Sequence, residues 1–139
     1  MFNCAKKRTY IVTISKKSTS FLDTITLKHL TYKAQIGVQG HELSHVSDFS
    51  NKNFGGMCRI FFGHLSKKYN DHFEFNTDQL CIDHGLGYQL LAWSTNVRKN
   101  LNITSWGVPN HKSLMNKRER YMHPSTIMHI ISTHSHYLN

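Results

Sequence analysis

Acidic residues are scarce in this chain. Eight Asp and Glu stand against seventeen Lys and Arg in 139 residues, a formal net charge of +9, and only Glu42, Glu74 and Glu119 are glutamates. Cysteine is scarce as well. Cys4, Cys58 and Cys81 are odd in number and widely spaced, so nothing supports a disulfide framework, and no CxxC zinc spacing occurs. Reduced intracellular thiols are the expectation, which makes the Asn102-Ile103-Thr104 sequon a chance match. Long apolar runs are missing too: the stretch from Gly85 to Trp93 is among the longest, well short of the roughly 18 residues of a membrane span. The charged start, Met1 to Arg8, is followed by no apolar h-region, so no signal peptide is visible and a cytoplasmic location is expected.

What is present fits one folded domain, residues 1–139, with a modest core. The hydrophobic content of 39% and the periodic segments argue against disorder. The positive charge invites a nucleic-acid-binding reading, but it is spread over local clusters at Lys6-Lys7-Arg8, Lys16-Lys17, Lys67-Lys68 and Lys117 to Arg120. No helix-turn-helix, zinc finger or RNP-type motif accompanies these clusters. Solvated charge is the simpler account, and no specific nucleic-acid partner is expected.

The most informative stretch is His41-Glu42-Leu43-Ser44-His45, an HExxH pentapeptide. On a helix, residues four apart share one face, so both imidazoles can reach one metal ion. Glu42 then points to water rather than to the ion, the division of labour in a zinc peptidase. Eleven histidines make an accidental match conceivable, in which case His41 and His45 are packed histidines on a half-buried helix. A second segment supplies context. Glu74-Phe75-Asn76-Thr77-Asp78 places two acids four residues apart. A catalytic zinc site takes three protein ligands and keeps one open position, and two histidines with a carboxylate from a second helix meet that count. A ligating histidine also needs a partner for its other ring nitrogen, a role that Asp78 fits. The competing reading makes Glu74 and Asp78 ordinary acids in a first helical turn.

HExxH followed by ExxxD on a later helix resembles the gluzincin class of zinc metallopeptidases. The Glu74–Asp78 stretch is similar to the third-ligand segment of the prenyl-protein and heat-shock membrane peptidases. The resemblance covers roughly Ala34 to Ala92. It implies one zinc ion per chain held by His41, His45 and Glu74, with Glu42 as general base, Asp78 supporting a ligand, and a peptide or protein as substrate. Two departures stand out: those peptidases carry transmembrane helices, and the gap from His45 to Glu74 is short for them.

The fold expected is α+β, a small zincin-like domain in which N-terminal strands precede mainly helices, with the metal site between two helices. Thr9–Ser15 is rich in β-branched and aromatic residues and reads as a strand, and Thr24–Leu27 as a second short one. Helices are expected over Tyr32–Phe49, Met57–Leu65, His72 to about Arg98, and Ser125–Ile131, the last led by Pro124. Gly37 and Gly40 weaken the motif helix unless another element packs closely there. Gly85 and Gly87 mark packing or kink positions. Asn51–Gly56, Ser66–Asp71 and Asn100–Lys112 read as connections. His129, His134 and His136 form a second possible metal group, better read as part of a mobile, solvated tail. His84, Tyr88, Tyr121 and His123 are candidates to stabilise an oxyanion. Only 40 residues precede the motif, so a non-catalytic zinc-binding protein with an incomplete cleft is the main alternative, followed by a basic nucleic-acid-binding module.

Overall fold

Helices are the only regular structure among the described residues, 8–104 and 120–138 of a computed structural model. The expected α+β architecture is therefore corrected to an all-helical one. Thr9–Ser15 is not in a strand. Its β-branched residues favour a pleated, half-buried surface, but among the described residues there is no strand to complete a ladder. Side chains dock this segment instead: Arg8 donates from Nη1 to the carbonyls of Phe49 and Lys52 at 2.8 Å each, and the Tyr10 ring stacks on Phe49. Thr24–Leu27 is also not a strand. It leaves a short helix, α1 (Ser20–Asp23), and enters a 3-10 turn at Leu27–His29. There the Thr26 hydroxyl donates to the Asp23 carbonyl at 2.6 Å, a local bond that competes with strand formation.

The motif helix, α2, spans Tyr32–Ser50. Thr31 caps it, accepting from the Ala34 N–H, while the Thr31 N–H donates to the Asn96 side chain at 3.0 Å. Helix α3 (Phe54–Gly63) begins earlier than its apolar pattern suggests because Asn53 accepts from the Gly56 N–H. Helix α4 (Lys67–Cys81) likewise starts directly after Ser66, which accepts from the Tyr69 N–H. Caps of this kind satisfy first-turn donors, and they shorten both expected connections.

The long helix expected from His72 to Arg98 is two helices. A π-helical turn, Ile82–Leu86, separates α4 from α5 (Gly87–Leu101), and Gly85 within it has φ 85°. That left-handed backbone suits glycine and few other residues. A π-turn displaces the usual hydrogen-bond ladder, and Tyr137 meets two of the affected groups. Its hydroxyl donates to the Ile82 carbonyl at 2.7 Å and accepts from the Gly87 N–H at 2.8 Å. Tyr137 lies in a 3-10 turn, Ser135–Tyr137, that follows α6 (Pro124–Thr133). The described part of the C-terminal segment is thus docked on the kink rather than a solvated tail.

Helix α2 packs mainly along α5, and also against α4. The approach to α5 is close at Gly37, where an added Cβ would lie 2.2 Å from the Gln89 carbonyl oxygen. Close packing is what the glycine gives α2 in return for weaker helix propensity. One buried cluster joins Cys81, Ile82, Leu90, Met122, Ile127 and Ile131 at the kink and α6. A second joins Leu30, Ala34, Val97 and Leu101 at the start of α2 and the end of α5. No helix among the described residues is long and apolar enough to cross a membrane.

Candidate metal centre

His41 and His45 lie one turn apart on α2, and Glu74 faces them from α4. The Nε2 atoms of His41 and His45 are 3.1 and 3.3 Å from the same glutamate oxygen, Oε2. Donor atoms about 2.0–2.1 Å from one tetrahedral zinc stand roughly 3.3 Å apart, so both separations suit ligation of one small ion. One donor atom from each of the three residues lies within 4.8 Å of the others, and the group can hold a metal ion. It is the one such group among the described residues.

Two partners orient the imidazoles. Asp78, one turn beyond Glu74, accepts from Nδ1 of His41 at 2.8 Å through Oδ1, and its Oδ2 accepts from the Met122 N–H at 2.7 Å. Both side chains are nearly inaccessible, 2% exposed each. Thr77 serves His45. Its hydroxyl donates to the Phe73 carbonyl at 3.0 Å, which leaves an oxygen lone pair to accept from Nδ1 of His45 at 3.1 Å. With Nδ1 of each ring engaged as a donor, each Nε2 faces Glu74. Partners of this kind fix the tautomer and orientation of ligating histidines. Sequence reasoning missed Thr77, although a hydroxyl within the Glu74–Asp78 turn was a readable signal.

The electrostatics fit a cation at the centre. Burial opposes charge on His41, but the hydrogen bonds to Asp78 and Glu74 outweigh it and raise the imidazole to about 9. Burial would raise Glu74, yet the hydrogen bonds from His41 and His45 outweigh that and hold it at about 2. Two carboxylates thus gather around one positive charge, which an imidazolium supplies here and a metal ion would supply in its place. Aromatic rings line the histidines. Trp93 and Tyr121 stand 5.1 and 5.7 Å from the His41 ring, and Phe73 stacks on His45 at 5.1 Å, centre to centre.

Glu42, half-buried, is the next residue of α2 after His41. It borders a cavity of about 300 Å³ shared with Val12, Ile14, Ser15 and Val38. Of the four expected oxyanion donors, only Tyr121 has a ring against a histidine of the group. Burial, followed by the charge on Glu74, keeps its phenol well above the usual range and therefore protonated. Tyr88 packs on Tyr137 instead, His84 is exposed, and His123 caps α6 by accepting from the Ser125 N–H. The second possible histidine group does not converge: His134 reaches Asp83 at 3.2 Å, the His134 and His136 rings are 6.5 Å apart, and His129 is exposed. Cys4, Glu119 and the Trp106–Pro109 stretch lie outside the described residues. Compared with known proteins, the chain matches no family model, no curated protein and no solved structure.

Proposed function

We propose that this protein is a zinc-dependent peptidase of the gluzincin type, with His41, His45 and Glu74 as metal ligands. The observation that carries the reading is the convergence of both Nε2 atoms on Glu74 while both Nδ1 atoms are held from behind. Two imidazoles and one carboxylate form the ligand set of an open catalytic zinc site. When bound, zinc supplies Lewis acidity, which polarises a scissile carbonyl and makes water a better nucleophile.

The remaining steps belong to side chains. Asp78 and Thr77 hold the two imidazoles in register. Glu42 takes the proton of the attacking water on its carboxylate and passes it to the leaving amine, the paired role of a general base and acid. The Tyr121 hydroxyl donates to the carbonyl oxygen as negative charge develops on it.

The deciding experiment is Glu42→Gln. Gln has nearly the shape of Glu but cannot accept the proton at neutral pH. Mass spectrometry should find about one zinc per chain in both proteins, while hydrolysis of a peptide library falls at least about 10²-fold in the variant. Loss of zinc in the variant identifies Glu42 as a ligand and removes the proposed division of roles. Zinc retention without cleavage by either protein makes the chain a non-catalytic zinc-binding protein.

A further inference from the structure

Residues 120–123 lead into α6 without a helical turn of their own, yet Met122 among them is 1% exposed. Backbone groups at that depth need protein partners, and side chains of other helices supply them. The Met122 N–H donates to Oδ2 of Asp78 on α4, and the Met122 carbonyl accepts from the Ser94 hydroxyl on α5 at 2.8 Å. The Tyr121 carbonyl accepts from Nη2 of Arg98, also on α5, at 3.4 Å. Helices α4 and α5 thus clamp this stretch between them.

Ser94 and Arg98 lie four residues apart on one face of α5, and both are buried. Their bonds run in one direction. Arginine has only donors, so the contact of Arg98 Nη1 with Ser94 Oγ makes the serine oxygen an acceptor and directs its own hydrogen to Met122. A serine within a helix often bonds a carbonyl one turn back instead. Nη1 also donates to the Ser94 carbonyl at 3.2 Å, which seats the guanidinium along the helix. From Met122 the bonds continue through the Asp78 carboxylate to Nδ1 of His41. The same stretch sets the Tyr121 ring 5.7 Å from the His41 ring, centre to centre.

We infer that Ser94 and Arg98 are positioning residues of the metal centre. From α5 they hold Tyr121 and Met122 so that Asp78 orients His41 and the Tyr121 ring stays against it. Neither residue touches the three converging side chains; each acts through the stretch it bonds. The inference rests on His41 as a metal ligand and, for its effect on turnover, on the peptidase reading of Tyr121.

The test is a pair of double-mutant cycles on the full chain. Ser94→Ala should lower zinc affinity about fivefold, the fold-change of one ordinary hydrogen bond, as read by competition with a chelator. In an Asp78→Ala background the same change should lower it no further, because residues acting through one network are not additive. Ser94→Thr keeps the hydroxyl, and the cavity of about 360 Å³ bordered by Ser94 has room for the added methyl, so affinity should return. Arg98→Lys keeps the charge but loses the planar fork that meets both Ser94 and Tyr121, and affinity should fall by at least as much as in Ser94→Ala. With a peptide substrate, Ser94→Ala should lower kcat at unchanged KM, since an oxyanion donor acts in the transition state, and should add nothing to Tyr121→Phe. Equal losses of affinity with and without Asp78 overturn the proposal. Should Asp78→Ala not fold, a Ser94→Ala affinity equal to that of the unaltered chain overturns it instead. Coupled zinc losses without any cleavage keep the proposal and remove the peptidase reading, whereas cleavage with no effect of Ser94→Ala or Arg98→Lys does the reverse. A chain that holds no zinc removes both.

Discussion

Among the described residues two pairs of histidine rings lie close together beside a carboxylate, and one of the two converges on it. His41 and His45 turn both Nε2 atoms to Glu74. Of the pair in the C-terminal turn, His134 reaches Asp83, while the two rings interact edge to face. The difference lies less in the histidines than in what stands behind them. His41 and His45 have Asp78 and Thr77 on their Nδ1 atoms. Nδ1 of His134, by contrast, accepts from the backbone N–H of His136 and so caps its own turn. Four-residue spacing on a long helix brings two rings to one place, and a second helix supplies the third donor and the supports together. Two-residue spacing on a 3-10 turn does neither.

Removing one of the three converging side chains should break this contrast most severely. His41→Ala or Glu74→Ala should reduce zinc retention by more than the 10 to 100-fold expected for a supporting partner, as measured by competition with a chelator. His134→Ala with His136→Ala should leave stoichiometry and affinity unchanged. Equal losses from the two sets would mean that the groups had been ranked wrongly.

The supports come next. Asp78→Asn keeps the size of the side chain but removes the negative charge facing His41, and zinc affinity should fall about 10 to 100-fold. Thr77→Val keeps the shape and removes the acceptor for His45. Its loss should lie at the lower end, on the order of tenfold, because a neutral hydroxyl bonds an imidazole less strongly than a carboxylate does. If Thr77→Val costs more than Asp78→Asn, the two histidines do not depend on their supports as the geometry implies.

The pairing of residues within this group was readable from sequence because its spacing is local. His41 with His45, and Glu74 with Asp78, each lie one turn apart, so a correct helix assignment places each pair whatever the rest of the fold. What remained was tertiary: Gly37 sets the close approach of α2 to α5, and the kink at Gly85 separates α5 from α4, the helix that carries Glu74. The N-terminal strands failed for a related reason. Val12, Thr13 and Ile14 favour extended backbone, but a strand exists only beside another strand. No sheet is present among the described residues to receive them. The C-terminal segment was misread because Tyr137 acts on groups far away in sequence, at Ile82 and Gly87.

The smallest expected effect separates the fold around the kink from the chemistry of the centre. Tyr137→Phe keeps the ring against Tyr88 and His134 but removes the hydroxyl shared by the Ile82 carbonyl and the Gly87 N–H. Gly87 is buried, so its N–H would lose a partner where water has little access. Leaving such a group unmatched costs on the order of 1–3 kcal/mol, and the partly accessible tyrosine end places this case near the lower bound, about 1 kcal/mol. Urea unfolding should show that loss as a lower midpoint with an unchanged slope. Zinc affinity should stay the same, because the hydroxyl bonds only backbone groups, and the Asp78 carboxylate keeps its own partners, Nδ1 of His41 and the Met122 N–H. A loss of affinity with no loss of stability would reverse the assignment and make the kink part of the metal centre.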